Sequence, residues 1–419
     1  MKTRITVILL VLLTLSLTTT SFAQDDEETL RIMHWAPALS GDEEAHMWWN
    51  EAIAAFEEAH PGVTIENNYI PFGQYLPALE AMIAGDELPD VFFGHVKVAE
   101  LGRAGLTVNF SEIMDEEFLS QFYPGPMRQF TFDGNVYALP WTSQMFGIYV
   151  NPAIMEEVGV EPPETWDDLV EISGPLNEAG YIPLAWGNAN MNVCTDFALP
   201  LVQQYDGNVY ALDELIDPEV SWDSEPVIQA FELLKRLQDE NVLIPGINGV
   251  DEAQGAQIFY QGRAAMLYGG SWYPSIIANE APEELVESFY VWKNPALTED
   301  SIHWSGNGSG EGWVVANNTE RTDLALEFLQ FILSDEVYLP HIEATQNMPS
   351  LGSAQEVLED EFVREMTGWL ETDGANHILF GQGSWEAFSG ACASVLDGSL
   401  TPAEAAAAIQ AEVIEIRER

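Results

Sequence analysis

Positive charge is what this 419-residue chain has least of: 14 Lys and Arg stand against 68 Asp and Glu, giving a formal net charge of −54. Nucleic acid is thereby excluded as a partner, because a phosphate backbone is held by clustered cations. Cysteine is scarce too. Cys194 and Cys392 are too few for a disulfide scaffold and have no companion Cys or His at zinc spacing, which leaves one disulfide or two buried thiols. There are no internal repeats, no low-complexity linkers and no apolar run of the ~20 residues that span a bilayer. H-E-x-x-H, G-x-S-x-G and Walker A patterns are missing, so none of these motifs points to catalysis or ATP hydrolysis, and no cofactor is implied. Apolar residues, by contrast, are plentiful. Hydrophobic residues make up 47% and aromatics 11%, enough for a substantial core, so the acidity is not that of a disordered polymer.

The first 23 residues read as a separate object. Lys2 and Arg4, the apolar stretch Ile5 to Leu17, and Ser21-Phe22-Ala23 with its small-x-small ending predict a signal peptide over residues 1–23. No cysteine stands at the cleavage point to carry a lipid anchor. The expected mature chain has 419 − 23 = 396 residues and a charge of −54 − 2 = −56, and is periplasmic or extracellular. Its self-repulsion is felt over ~10 Å in ordinary buffer and over ~3 Å near molar salt. A saline habitat or an acidic one explains such a surface, and composition does not separate the two.

Along the chain, apolar spacing alternates between two periods. Leu30 to Trp35 reads as a strand, His46 to His60 as a helix stopped by Pro61-Gly62, and Val63, Ile65 and Tyr69 as a second strand. A second helix carries Leu76, Leu79, Met82 and Ile83 up to Gly85, and Val91-Phe92-Phe93 is a third strand. This rhythm predicts an α/β protein with mainly parallel pairing. Thr165 followed by Asp167 and Asp168, and Thr401-Pro402-Ala403-Glu404, are helix starts with capping residues in place.

Six segments in collinear order then carry a resemblance. They are Gly73-Gln74-Tyr75 to Gly85 with Leu88-Pro89-Asp90-Val91-Phe92-Phe93; Asp133 to Pro140; Ile148-Tyr149-Val150-Asn151; Glu164 to Leu169; Phe259 to Met266 with Gly269-Gly270-Ser271-Trp272; and Ala325 to Leu333 with Ser334-Asp335-Glu336. Together they resemble extracellular solute-binding proteins, the carbohydrate receptors of ABC importers of the maltodextrin-binding type. The resemblance implies a two-lobed periplasmic-binding-protein type II fold, with three interlobe crossings and a ligand cleft between the lobes. It places the crossings near Pro140 to Ser143, Val291 to Pro295 and Asn347 to Pro349. The N-terminal lobe would then hold residues 24–140 and about 292–346, and the C-terminal lobe about 141–291 and 347–419. It further implies a monomer that captures a small-molecule carbohydrate by lobe closure and delivers it to a membrane permease.

A sugar presents apolar C–H faces and hydroxyl rims, so its cleft needs flat aromatic surfaces ringed by short hydrogen-bonding groups. Among 13 Trp, Trp272 stands after Gly269-Gly270, where missing side chains let an indole face emerge, and it matches the family's stacking tryptophan. Trp385 repeats that logic after Gly381-Gln382-Gly383, and Trp35 opens the first ligand loop with Asp42 close by. Trp141 and Gln144 follow the first crossing, Gln144 standing where maltodextrin binders carry an acid. Trp186 and Asn188 belong to a further cleft loop, and Gly310 and Glu311 to a glycine-rich wall. Where the maltodextrin type has a Trp and an acid after the Pro-Asp-Val strand, this chain has Gly94 and Lys97, and His95 stands in as a contact. A secreted glycoside hydrolase, or a receptor of the same fold for a polyol, a glycerol phosphodiester or a peptide, is the alternative. With 68 acids some carboxylate pair always qualifies for hydrolysis, so abundance does not favour it.

Overall fold

The computed structural model describes residues 28–35, 43–190, 193–208, 212, 214, 219–309, 311–369, 373–376 and 383–418. Among the described residues, thirteen strands and the helices between them build two main sheets. The strands are β1 (Glu28–His34), β2 (Val63–Tyr69), β3 (Val91–Phe93), β4 (Thr131–Phe132), β5 (Asn135–Val136), β6 (Leu139–Pro140), β7 (Gln144–Val150), β8 (Ile182–Ala185), β9 (Ala264–Gly270), β10 (Tyr290–Trp292), β11 (Ser305–Gly308), β12 (Gly312–Val315) and β13 (Gly374–Asn376). The first sheet runs β2-β1-β3-β12-β6; the second runs β13-β11-β7-β9-β8, with β10 also on β7. A short β4–β5 hairpin completes the set.

The early rhythm is as the apolar spacing predicts. Helix Glu43–Ala59 turns Trp49, Ala52 and Phe56 inward, and helix Phe72–Gly85 turns Tyr75 and Leu79 inward. Asp86 ends the latter in a left-handed conformation (φ 54°). Thr165 and Thr401 close capping boxes with Asp168 and Glu404, which satisfies amide groups that a helix start leaves unpaired. Pairing is mixed rather than mainly parallel. β1, β2 and β3 are parallel, but β12 runs against β3 and β6, and β9, β10 and β11 all run against β7. The reason is connectivity: β12 enters the first sheet from the second, and so arrives in the opposite sense.

Two buried clusters form the core, the first of which also takes in Tyr149, Leu267 and Val291 of the second sheet. Leu30, Ile32, Val91, Phe92 and Val314 fill the first; Ile148, Val150, Leu184, Met266, Phe231, Leu234, Phe388 and Ile409 fill the second. The chain passes between the sheets at Trp141-Thr142-Ser143, from β6 to β7. It returns at 309–311, not at Val291–Pro295, because β10 and β11 stay hydrogen-bonded to β7 through Trp292↔Ile148 and Gly308↔Gln144. Met348 and Pro349 run beside the first passage: Ser143 donates its amide to the Met348 carbonyl (2.8 Å), and Pro349 bridges Thr142. Tyr338 and Ser350 hydroxyls both donate to the Trp141 carbonyl, binding these passages into one hinge. Cys194 and Cys392 form a disulfide, Cα–Cα 5.7 Å, across a sequence separation of 198.

Candidate functional site

The glycine pair at the end of β9 makes room for aromatic rings, but by letting them fold back over the strand rather than by letting an indole emerge from it. A Cβ on Gly270 would stand 2.1 Å from the Trp272 ring, and one on Gly269 would stand 2.3 Å from the Tyr273 ring. Only glycine lets both rings fold back on the strand. Trp272 is held edge-on by Phe146, centroids 5.3 Å apart, and stays half-buried. Gly306 of β11 continues this surface: its absent Cβ would lie 3.2 Å from the Phe146 ring and 3.5 Å from the carbonyl oxygen of Asp196. The same carbonyl accepts the Tyr268 hydroxyl at 2.9 Å. Trp272, Phe146, Gly306 and Asp196 therefore form one wall at the edge of the second sheet.

Asp196, whose carbonyl belongs to this wall, was not singled out by pattern reading. It sits in the single turn Val193–Phe197, half-buried, and burial, with the nearby Glu252 carboxylate as a lesser cause, pushes its carboxyl up to about 8. The available signal was an acid inside the apolar run Val193-Cys194-Thr195-Asp196-Phe197-Ala198-Leu199.

On the first lobe, Trp35 ends β1 as a 1% exposed ring packed edge-on against Tyr75, Phe93 and His95. Its indole Nε1 donates to Glu311 at 3.1 Å, and the Thr142 hydroxyl donates to the other carboxylate oxygen. The Glu311 carbonyl accepts the Trp141 amide at 2.8 Å, so this one residue ties the first ligand loop to both passages. Burial raises the Glu311 carboxyl, and the two hydrogen bonds oppose that rise. His95 is half-buried with positive φ (49°) and packs on Trp35 and Phe72. Lys97 meets Glu80 (3.5 Å), Glu100 (3.2 Å) and, across the gap, Glu386 (3.6 Å). Glu386 belongs to helix Ser384–Leu396, packed in the second lobe, as does half-buried Trp385. Gln144, also half-buried, opens β7 opposite Gly308.

Four expected contacts are core residues instead: Trp35, enclosed as described above, and Trp141, Trp186 and Asn188. Trp141 is 1% exposed, enclosed by Trp48, Trp49, Trp313, Tyr338 and His341, because the passage it opens is packed under helix Asp335–Thr345. Trp186 is 2% exposed and lies against Tyr268, centroids 4.4 Å apart. Asn188, 1% exposed, accepts the Cys194 amide (3.3 Å) and donates to Asn248 (2.8 Å), bracing the disulfide turn. Asp42 and Gly310 lie outside the described residues. No group of three or more His, Cys, Asp or Glu side chains suited to a metal ion occurs among the described residues, and no helix there is long and apolar enough to cross a membrane.

Comparison with known proteins agrees with this two-lobed plan. The chain is similar to an arabinooligosaccharide-binding protein of Halalkalibacterium halodurans, 26% identical over 329 residues, 75% of this chain and 69% of that one. It is similar to the maltodextrin-binding protein MdxE of Bacillus subtilis, 21% identical over 324 residues, 76% and 74% of the two chains. A solved chitin oligosaccharide binding protein superposes with a TM-score of 0.81 at 21% identity, covering 93% of this chain and 99% of that one. The family model for bacterial extracellular solute-binding proteins matches residues 41–338, well over half of the sequence, and the chain belongs to that family.

Proposed function

We propose that this protein is the extracytoplasmic binding component of an ABC importer, capturing a sugar or oligosaccharide by lobe closure and handing it to a membrane permease. The observation that carries this reading is Trp272: a half-buried indole laid over Gly270, supported by Phe146 and packed against both buried clusters. Such a plane suits the apolar face of a pyranose or furanose ring. Relatives named for arabinooligosaccharide, maltodextrin and chitin oligosaccharide binding support the ligand class. Lys97 spends its charge on three glutamates, which favours an uncharged guest over a phosphorylated one.

The lobes divide at the sheets, 28–140 with 312–345 against 144–308 with 361–418, and rotate about the passages that Glu311 and Ser350 tie together. A ligand touching both faces stabilises the closed arrangement by its differential contacts. Trp272, Trp385, Gln144, His95 and Glu311 are the residues this reading assigns to the ligand. Energy for transport comes from elsewhere in the importer. Residues 1–23 serve as the export leader in this reading, and a disulfide between Cys194 and Cys392 suits an oxidising compartment, where the protein acts as a monomer.

A thermal-shift panel tests this reading with maltotriose, N,N′-diacetylchitobiose and arabinotriose in low and molar salt. A ligand that binds only the native state raises the melting temperature. At least one sugar should do so, and Trp272→Ala should abolish the shift while the unliganded protein stays folded. No shift with any of the three in either salt overturns the reading.

A further inference from the structure

We propose that Lys97 is the positioning residue for lobe closure: its ammonium is the shared counter-charge that lets Glu386 of the second lobe approach the acidic rim of the first. This rests on the closure reading above and names the side chain that permits it.

The bridge joins elements that belong to different lobes. Lys97 ends the turn His95–Lys97, which continues into helix Val98–Arg103, and Val98 and Leu101 of that helix are buried in the first cluster. Glu386 stands in the first turn of helix Ser384–Leu396, whose Ala387, Phe388 and Cys392 are buried in the second cluster. The Cys194–Cys392 disulfide fixes that helix to its own lobe. Between the two, Lys97 Nζ lies 3.6 Å from Glu386 Oε1. Other described ion pairs, such as Arg321 with Asp90 and Arg417 with Glu214, stay within one lobe. The bridge also adjoins residues assigned to the ligand, since His95 opens the Lys97 turn and Trp385 precedes Glu386.

The charges decide what this bridge does. Lys97 Nζ lies 3.5 Å from Glu80 on helix Phe72–Gly85 and 3.2 Å from Glu100 on helix Val98–Arg103, and its side chain is 15% exposed against 48% for Glu386. Glu80 and Glu100 move with Lys97. Opening the lobes therefore removes one carboxylate of three and leaves the ammonium neutralised, which makes the bridge reversible. Without the ammonium the sign inverts. Carboxylates that share one ammonium at 3.2–3.6 Å stand about 7 Å or less apart, so closure would press Glu386 against two like charges. In a chain with 14 Lys and Arg against 68 Asp and Glu, a cation at this point turns an interlobe repulsion into an attraction.

The test uses the full mature protein as wild type, Glu386→Gln, Lys97→Met and the double variant, each checked for folding by circular dichroism. Affinity for maltotriose, N,N′-diacetylchitobiose and arabinotriose is measured calorimetrically in low and molar salt. A shift in the closure equilibrium changes affinity by the same factor. Glu386→Gln removes an attraction and should weaken binding by about 2- to 5-fold, the range of a partly exposed pair. Lys97→Met should weaken it by about 10-fold through two like charges at about 7 Å, and molar salt, which screens within ~3 Å, should restore most of that loss. In the Lys97→Met background, Glu386→Gln removes a repulsion and should improve binding. A side chain that only supports local packing gives no such change of sign. A second arm needs no ligand: zero-length carbodiimide coupling joins an amine to a carboxylate in contact with it, and peptide mapping should find a Lys97–Glu386 amide beside those to Glu80 and Glu100. Coupling to Glu80 and Glu100 alone, or a Glu386→Gln effect that is absent or of one sign in both backgrounds, overturns the inference. A Lys97–Glu386 amide with no binding by any of the three sugars instead overturns the sugar reading and leaves the bridge standing.

Discussion

His341 offers the sharpest test of the packing. The ring is 3% exposed, lies 4.3 Å from the Trp48 ring and 4.8 Å from the Trp141 ring, and neither nitrogen has a hydrogen-bond partner. Nothing there stabilises an imidazolium, and burial lowers its pKa from 6.5 to about 3. The sign follows directly: between those values the unfolded chain binds a proton that the native state refuses, so stability is intact above pH 6.5 and is lost as pH falls towards 3. At pH 4 the loss attributable to this one residue is about 3 kcal/mol, taking roughly 1.4 kcal/mol per pKa unit over the part of the shift already traversed. His341→Phe keeps an aromatic ring between the two indoles and removes the titration. Urea unfolding followed by tryptophan fluorescence, at pH 7 and pH 4, should show the variant gaining about 3 kcal/mol on the wild type as the pH drops. Acid effects elsewhere act on both proteins and cancel in the difference. Equal pH dependence of the two would refute the claim that His341 is buried without a partner.

Two further outcomes follow from the second lobe. Gly270→Ala drives a methyl to within 2.1 Å of the Trp272 ring, an overpacking that costs about 1–3 kcal/mol; circular dichroism should show the fold retained while the sugar-induced thermal shift disappears. Cys392→Ala opens a disulfide that closes a loop of 198 residues and should cost about 2–4 kcal/mol in urea unfolding, with added reductant lowering the wild-type midpoint but not the variant's.

How much of this was legible beforehand depends on the range of the interaction. Helix Glu43–Ala59 and strand Val91–Phe93 follow from local periodicity, and the capping boxes at Thr165 and Thr401 from four-residue patterns. Trp272 announced itself because its supporting glycine is two residues away. Trp141 misled because its enclosing rings, Trp48, Trp313 and His341, come from segments far from it in sequence. The second passage was misplaced for the same reason: antiparallel pairing of β10 and β11 with β7 is decided about 140 to 165 residues away from it.

The position of β12 has a consequence for how the protein is made. In the first sheet it lies between β3 and β6, yet it is synthesised after every strand of the second sheet except β13. A nascent chain that has just completed β6 therefore holds a sheet with a vacant central lane, and cannot close that layer until residue 315 has emerged. Closure of the first sheet thus waits on chain made after most of the second, so the two halves mature in an interleaved order.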